Sequence, residues 1–138
     1  MSLAWHHSPP EPGEYLALRD AAGLGRRSHE GAVAGLPRTL FALTVRESEE
    51  LIAMGRVVGD GGCFVQLVDI AVRPDHQRQG LGKEVTSRLL AWCEGTLPPT
   101  CHISLVASEA AVPLYERFGF EPSRGMDRYA DATLRLTK

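Results

Sequence analysis

The stretch Leu67-Val68-Asp69-Ile70-Ala71-Val72-Arg73-Pro74-Asp75-His76-Gln77-Arg78-Gln79-Gly80-Leu81-Gly82-Lys83 decides the fold of this chain. An apolar strand runs into a short turn, and a Gln-x-x-Gly-x-Gly loop then opens directly into an amphipathic helix. Glycines at 80 and 82 lack the Cβ atoms that would keep a ligand away from the backbone. The first amides of the helix have no intrahelical acceptor, and the helix dipole adds partial positive charge there. Such a loop is an anion site suited to a phosphate or pyrophosphate, which points to a phosphorylated cofactor.

Two common nucleotide motifs fail here. A dinucleotide fingerprint needs a third glycine where Val85 stands, and a Walker loop needs glycine at Gln77 and a hydroxyl residue at Glu84. A strand ending Val-x-Pro followed by Gln-x-x-Gly-x-Gly resembles instead the pyrophosphate loop of the GCN5-related N-acetyltransferase (GNAT) family. Residues 111–122, Ala-Val-Pro-Leu-Tyr-Glu-Arg-Phe-Gly-Phe-Glu-Pro, resemble the second signature of that family, Ala-x-x-Leu-Tyr-x-x-x-Gly-Phe. The asparagine that the family often carries seven residues before the tyrosine is Ser108 here; serine can still cap a helix, with one cofactor contact altered. The resemblance covers about residues 39–122 of a single N-acetyltransferase domain spanning 1–138.

The resemblance implies an α/β fold: a mixed, mostly antiparallel sheet flanked by helices, with a splayed parallel strand pair after the central strand. It implies acetyl-CoA as acetyl donor, with the pantetheine arm in the splayed gap. Backbone groups of Ile70, Ala71 and Val72 would pair with the pantetheine amides. The pyrophosphate would lie over Gln77, Arg78, Gln79, Gly80, Leu81, Gly82 and Lys83. Ser108 and Arg117 complete the implied cofactor set.

Length and composition agree with such a domain. A chain of 138 residues with 43% hydrophobic residues can bury a core without staples. The net charge of −2 offers no electrostatic footprint for nucleic acid. No apolar run is long enough to cross a bilayer, and no charged-then-apolar leader is evident, so a soluble cytoplasmic protein is expected. Cys63, Cys93 and Cys101 are widely spaced among apolar neighbours, which suggests buried thiols in a reducing compartment. His6, His7, His29, His76 and His102 form no ligand pattern, and no metal is expected.

Along the chain, a short strand at 3–7 precedes a proline-marked turn, and Glu14–Ala22 reads as a helix closed by Gly23 and Gly25. Ser28 caps a second short helix ending near Gly35 and Pro37. Leu40–Val45 and Leu51–Val58 read as strands joined by the charged turn 46–50. Gly59-Asp60-Gly61-Gly62 turns the chain into a strand at 63–72, apolar on both faces and therefore central. A helix at 80–94, stopped by Gly95 and the Pro98-Pro99 pair, carries Trp92 and Leu89 on its core face. A strand at 102–107, a helix at 108–118 and a last strand at 129–136 complete the reading. The unit from 63 to 107 should be a right-handed parallel crossover.

Transfer of acetyl to a primary amine by direct attack needs a neutral amine, a polarised carbonyl and a proton for the leaving thiolate. Within its motif Tyr115 is the general acid, since its phenol (pKa about 10) can donate to a thiolate whose acid lies near about 8.5. The alternative is a tyrosine that only packs. Asp69 is the ionisable candidate for the base; the alternative is a structural carboxylate bound to amides or an arginine. Strand alternation puts Gln66 on the opposite face. Gln66 lies where the lysine-acetylating histone branch of the family has a glutamate, and glutamine cannot take that proton. Arg78, Lys83 and Arg117 can reach phosphates, or be ordinary surface cations. Glu14, Asp20 and Glu30 can attract a cationic amine. The expected acceptor is a small amine or a peptide amino group, with a homodimer left open and neither nucleic acid nor membrane as partner. The competing reading is a non-catalytic acyl-CoA sensor or interaction domain with the same fold.

Overall fold

The structure, a computed structural model, describes residues 2–136. The chain groups into two compact units, Met1–Leu105 and Val106–Lys138. The first holds a five-stranded sheet in the order β1 (Ala4–His6), β2 (Phe41–Glu47), β3 (Glu50–Gly59), β4 (Phe64–Val72) and β5 (His102–Ser104). The first four strands pair antiparallel, and β4 pairs parallel with β5. The mixed, mostly antiparallel sheet expected from the sequence is therefore present.

Helices cover both faces of the sheet. On one side α1 (Pro12–Ala21), α2 (His29–Gly35) and the 3-10 turn Leu36–Arg38 lay Tyr15, Leu18, Ala32 and Leu36 onto Leu51, Met54 and Ala71. Ser28 caps α2 as read, its hydroxyl accepting the Gly31 amide at 2.9 Å. On the other side α3 (Leu81–Thr96) buries Leu81, Val85, Leu89, Leu90 and Cys93 at helical spacing. Gly55 lets α3 approach β3: a Cβ there would lie 2.7 Å from Val85 Cγ1 and 2.9 Å from Leu89 Cδ1. Trp92 packs face to face on Phe41, with ring centroids 5.2 Å apart.

Several boundaries differ from the sequence reading. Helix α3 runs through Gly95 to Thr96, and of the two expected stops the Pro98-Pro99 pair acts: Leu97, before a proline, is kept out of the helical region, while a glycine only weakens a helix. The β2–β3 turn is tighter than 46–50: Glu47 already pairs with Glu50. Ser48 and Glu49 make the turn with φ of 51° and 69°, the two left-handed residues of a two-residue hairpin, without the glycine or asparagine that would have announced it. The strand expected to 107 ends at Ser104. Of the three cysteines only Cys93 is buried, its thiol pushed up to about 11 by burial; Cys63 is exposed and Cys101 half-buried.

Within the second unit the helix expected over 108–118 is a 3-10 turn at Glu109–Ala111 followed by the short α4 (Val112–Glu116). Ser108 stands at the N-cap of that turn without a side-chain cap bond, so the expected capping is not made. No strand forms among the described residues of the tail. Asp131 Oδ1 takes the Thr133 amide at 2.9 Å and its hydroxyl at 2.7 Å, and the Asp131 carbonyl takes the Leu134 amide. Local side-chain bonds of this kind compete with strand pairing.

Candidate cofactor and catalytic site

The loop after β4 is assembled from backbone. A 3-10 turn at Pro74–His76 carries the chain off the strand, and the Gln77 side-chain amide donates back to the Val72 carbonyl at 2.9 Å. Arg73 bridges Asp75 and Glu50, and His76 lies between Asp75 Oδ1 at 2.8 Å and Glu47 Oε1 at 3.1 Å. These contacts brace the entrance to the loop from the end of the β2–β3 hairpin. Arg78 and Gly80 then adopt left-handed φ of 66° and 83°. Successive amides around left-handed residues form an anion-binding concavity.

Among the described residues no acceptor takes the amides of residues 78–83; the first bonded amide of α3 is that of Glu84, to Gly80 O at 3.0 Å. A Cβ on Gly80 would meet nothing within 4 Å, and one on Gly82 only Val72 Cγ2 at 3.9 Å. The concavity is thus open. Gln77, Arg78, Gln79 and Lys83 are exposed around it, whereas the Leu81 side chain is buried in the core and leaves only its amide to the loop.

A second feature lies along β4. Its parallel pairing with β5 covers Phe64, Val65 and Gln66 and stops there, while its pairing with β3 continues to Val72. Among the described residues the β5-side edge from Leu67 to Val72, including Ile70, Ala71 and Val72, therefore has no strand partner. That edge leads directly into the open loop. Unpaired amides beside an anion concavity suit a long acyl carrier with an amide-bearing arm and a pyrophosphate, so these residues fit acetyl-CoA.

Asp69 occupies a bulge in this strand. Asp69 and Ile70 together face the single Gly55 of β3, and Asp69 has φ 60°. A left-handed conformation costs an L-residue about 1–2 kcal/mol, least for Asp and Asn, so something must hold it. Three donors do, Tyr15 and Arg19 buried and Arg56 half-buried. Arg19 Nη1 is bonded to Oδ1, Tyr15 Oη donates to Oδ2 at 2.9 Å, and Arg56 Nε donates to Oδ2 at 2.8 Å. Burial, and then the Asp69 charge, raise the Tyr15 pKa, so that phenol stays a donor. Both oxygens of Asp69, expected as a base or a structural carboxylate, are thus engaged by side chains of α1 and β3. The bulge overturns the expected opposition of Gln66 and Asp69: Gln66 pairs with Val58, two residues from Arg56, and so lies on the face where Arg56 meets Asp69.

Sequence reasoning missed Tyr15, Arg19 and Arg56 as partners of this carboxylate. One signal existed: Arg56 is the lone charge between Leu51 and Val58, and Asp69 the lone charge between Phe64 and Val72, in consecutive strands. Glu14, by contrast, is not free to attract an amine. It accepts both terminal nitrogens of Arg46, at 2.8 and 2.6 Å, and the Glu11 amide at 2.9 Å; the Arg46 bond leads in holding its pKa low. Asp20 and Glu30 are exposed.

In the second unit Tyr115 lies on α4, half-buried, with its ring edge-on to Phe120 at 6.2 Å. Burial raises its pKa, which keeps the hydroxyl protonated at neutral pH. Its carbonyl accepts the amides of Phe118 and Phe120, and Gly119 turns the chain with φ 90°. The Leu-Tyr-x-x-x-Gly-Phe spacing thereby folds Phe120 back onto the tyrosine. Arg117 and Ser108 are exposed. Among the described residues no group of three or more His, Cys, Asp or Glu is placed to hold a metal, and no helix is long and apolar enough to cross a membrane.

Comparison with known proteins places this geometry. The acetyltransferase (GNAT) family matches residues 2–120. The [ribosomal protein bS18]-alanine N-acetyltransferase of Escherichia coli K12 is 35% identical over 94 residues, 67% of this chain and 62% of that protein. The chain thus spans less than two thirds of the curated relative it matches. A structure from meticillin-resistant Staphylococcus aureus, a protein of unknown function and probable acetyltransferase, superposes with a TM-score of 0.88 at 36% identity, covering 93% of this chain and 99% of that one. A GNAT family protein from Streptococcus pneumoniae shares the fold at a TM-score of 0.76 and 22% identity, covering 94% and 99%. With both signature segments inside the matched range, the chain belongs to the GNAT acetyltransferase family.

Proposed function

We propose that this chain is an acetyl-CoA-dependent N-acetyltransferase acting on a primary amine of a small molecule or peptide by direct attack. The observation that carries the reading is the run of unpartnered amides at residues 78–83 next to the unpaired edge of β4. The name of the E. coli relative, which specifies a protein alanine as its acceptor, supports a peptide amino group here.

Bound at this site, acetyl-CoA supplies an activated acetyl group as a thioester. The loop amides and the positive end of α3 would hold its pyrophosphate, with Arg78, Lys83 and Arg117 as accessory cations. Backbone groups of Ile70, Ala71 and Val72 would hold the pantetheine amides, and Ser108 would add a hydroxyl contact. Tyr115 Oη carries the proton that a departing thiolate needs. Asp69 takes no proton in this scheme, since its oxygens already accept three side-chain donors. The amine loses its proton to solvent or to the acceptor's own surroundings.

Thiol release from acetyl-CoA, followed over a panel of amines and peptide amino termini, tests the activity. Calorimetry with CoA against ATP and NAD tests the loop. Tyr115→Phe should keep the fold and the cofactor affinity while kcat falls by about 10²–10⁴ with KM nearly constant. A protein that binds CoA but turns over no amine would be the acyl-CoA sensor of the same fold. One that does not bind CoA overturns both readings.

A further inference from the structure

The bulge of β4 is tied to the other face of the sheet through a single carboxylate. Tyr15 and Arg19 are four residues apart on α1 and so share one face of the helix. Both reach Asp69, fifty or more residues away in the chain. Arg19 Nη2 also donates to the Gly25 carbonyl at 2.6 Å, binding the segment that follows α1. Arg56 Nη1 donates to Thr39 Oγ1 at 2.7 Å, binding the segment that leads into β2. Both guanidinium groups lie near the Tyr15 ring, at 5.9 and 5.5 Å from its centroid. The side chains of Arg19, Arg56 and Asp69 are 7%, 11% and 3% exposed, so this cluster is closed to solvent rather than poised to meet substrate.

Position makes the cluster more than a core ion pair. Asp69 lies three residues beyond the last β4–β5 pair, at Gln66, and immediately before Ile70–Val72. The left-handed turn at Asp69 sets the direction in which the unpaired edge runs toward the loop. Release of the carboxylate would let β4 relax toward regular pairing, and a shift of one residue would turn its side chains to the other face.

We propose that Asp69 is a positioning residue. Its carboxylate, gripped by Arg19 and Tyr15 from α1 and by Arg56 from β3, holds the β4 bulge and so keeps the edge at Ile70–Val72 in shape for the cofactor's amide-bearing arm. The proposal rests on the acetyl-CoA reading above. It makes cofactor affinity depend on residues of α1 that lie on the opposite face from α3.

The test uses the full chain and CoA as the titrated probe. Asp69→Asn keeps the shape of the side chain and tolerates the left-handed backbone, yet loses the charge. It should weaken CoA binding by about tenfold or more. At saturating acetyl-CoA the pH profile of kcat should keep its shape, because no titrating base has been removed. Tyr15→Phe, which spares both ion pairs and the core packing, should weaken CoA binding in the same direction by about threefold. It carries the test alone if Asp69→Asn does not fold. Wild-type CoA affinity in the folded variants overturns the proposal. So does a loss of kcat by about a hundredfold together with the acid limb of the profile, which would return Asp69 to the role of base. Failure of the acetyl-CoA reading shows separately, as absence of CoA binding by the unmutated protein, and the proposal then falls with it.

Discussion

The loop at 77–83 and the cluster around Asp69 both collect hydrogen-bond donors, but only the cluster supplies its own acceptor. In the loop, six consecutive residues present amides that nothing in the described chain accepts. In the cluster, two guanidinium groups and a phenol converge on one carboxylate away from water. Donors left open in a concavity call for an outside anion, whereas donors closed around an internal anion hold the framework that shapes the concavity. The first arrangement is made of backbone and needs glycine; the second is made of side chains and needs a fold to bring them together.

The sharpest way to break this contrast is to remove the internal anion. Asp69→Ala strands Arg19 and Arg56 as buried cations, and breaking a buried pair in this way typically costs about 3–5 kcal/mol. Urea unfolding should report a loss in that range. A loss below about 1 kcal/mol would mean that the guanidinium groups find water, and the cluster would no longer count as framework.

Obstructing the open donors should do the reverse, weakening binding and sparing the fold. Gly82→Val is the cleaner variant, because the nearest side-chain atom to its new Cβ is 3.9 Å away. Gly80→Val would add backbone strain at φ 83°. For Gly82→Val the loss of at least one charge-assisted hydrogen bond, about 1.5–3 kcal/mol, predicts roughly ten- to a hundredfold weaker CoA binding. Calorimetry checks the affinity and a thermal melt the fold. Unaltered affinity would move the anion site away from the loop.

The smallest effect concerns the brace that ties the entrance of the loop to the end of the β2–β3 hairpin. His76 lies between Asp75 and Glu47, and those two carboxylates, Asp75 foremost, raise its pKa above the ordinary 6.5. The folded protein then holds more protons than the unfolded chain over that window, so stability falls as pH rises. The contribution should be complete below about 6.5 and lost as pH passes through the raised value. Thermal midpoints on either side of that window should differ in the wild type, and the difference should shrink in His76→Gln. A variant that keeps the whole difference would take His76 out of the brace.

How much was readable depended on the kind of signal. The strand, turn and helix around Gly80 and Gly82 were legible because each step has a local cause: apolar residues, a proline and glycines at fixed spacing. The Ser28 cap was legible for the same reason. The hairpin tip was misplaced because Ser48 and Glu49 take left-handed conformations that their identities do not advertise. The strand expected in the tail does not form among its described residues, where Asp131 closes a local turn with Thr133 and Leu134 instead.

The amino-acid sequence by itself determined the family, the order of the main elements and the backbone concavity after β4, since all three follow from patterns within a few tens of residues. Only the tertiary structure decided what surrounds Asp69. A lone aspartate in an apolar strand reads equally as a base or as a framework carboxylate, and the choice depends on Tyr15 and Arg19, whose α1 lies some fifty residues earlier in the chain. No local pattern records that contact, because burial and charge pairing between distant segments exist only once the chain has folded.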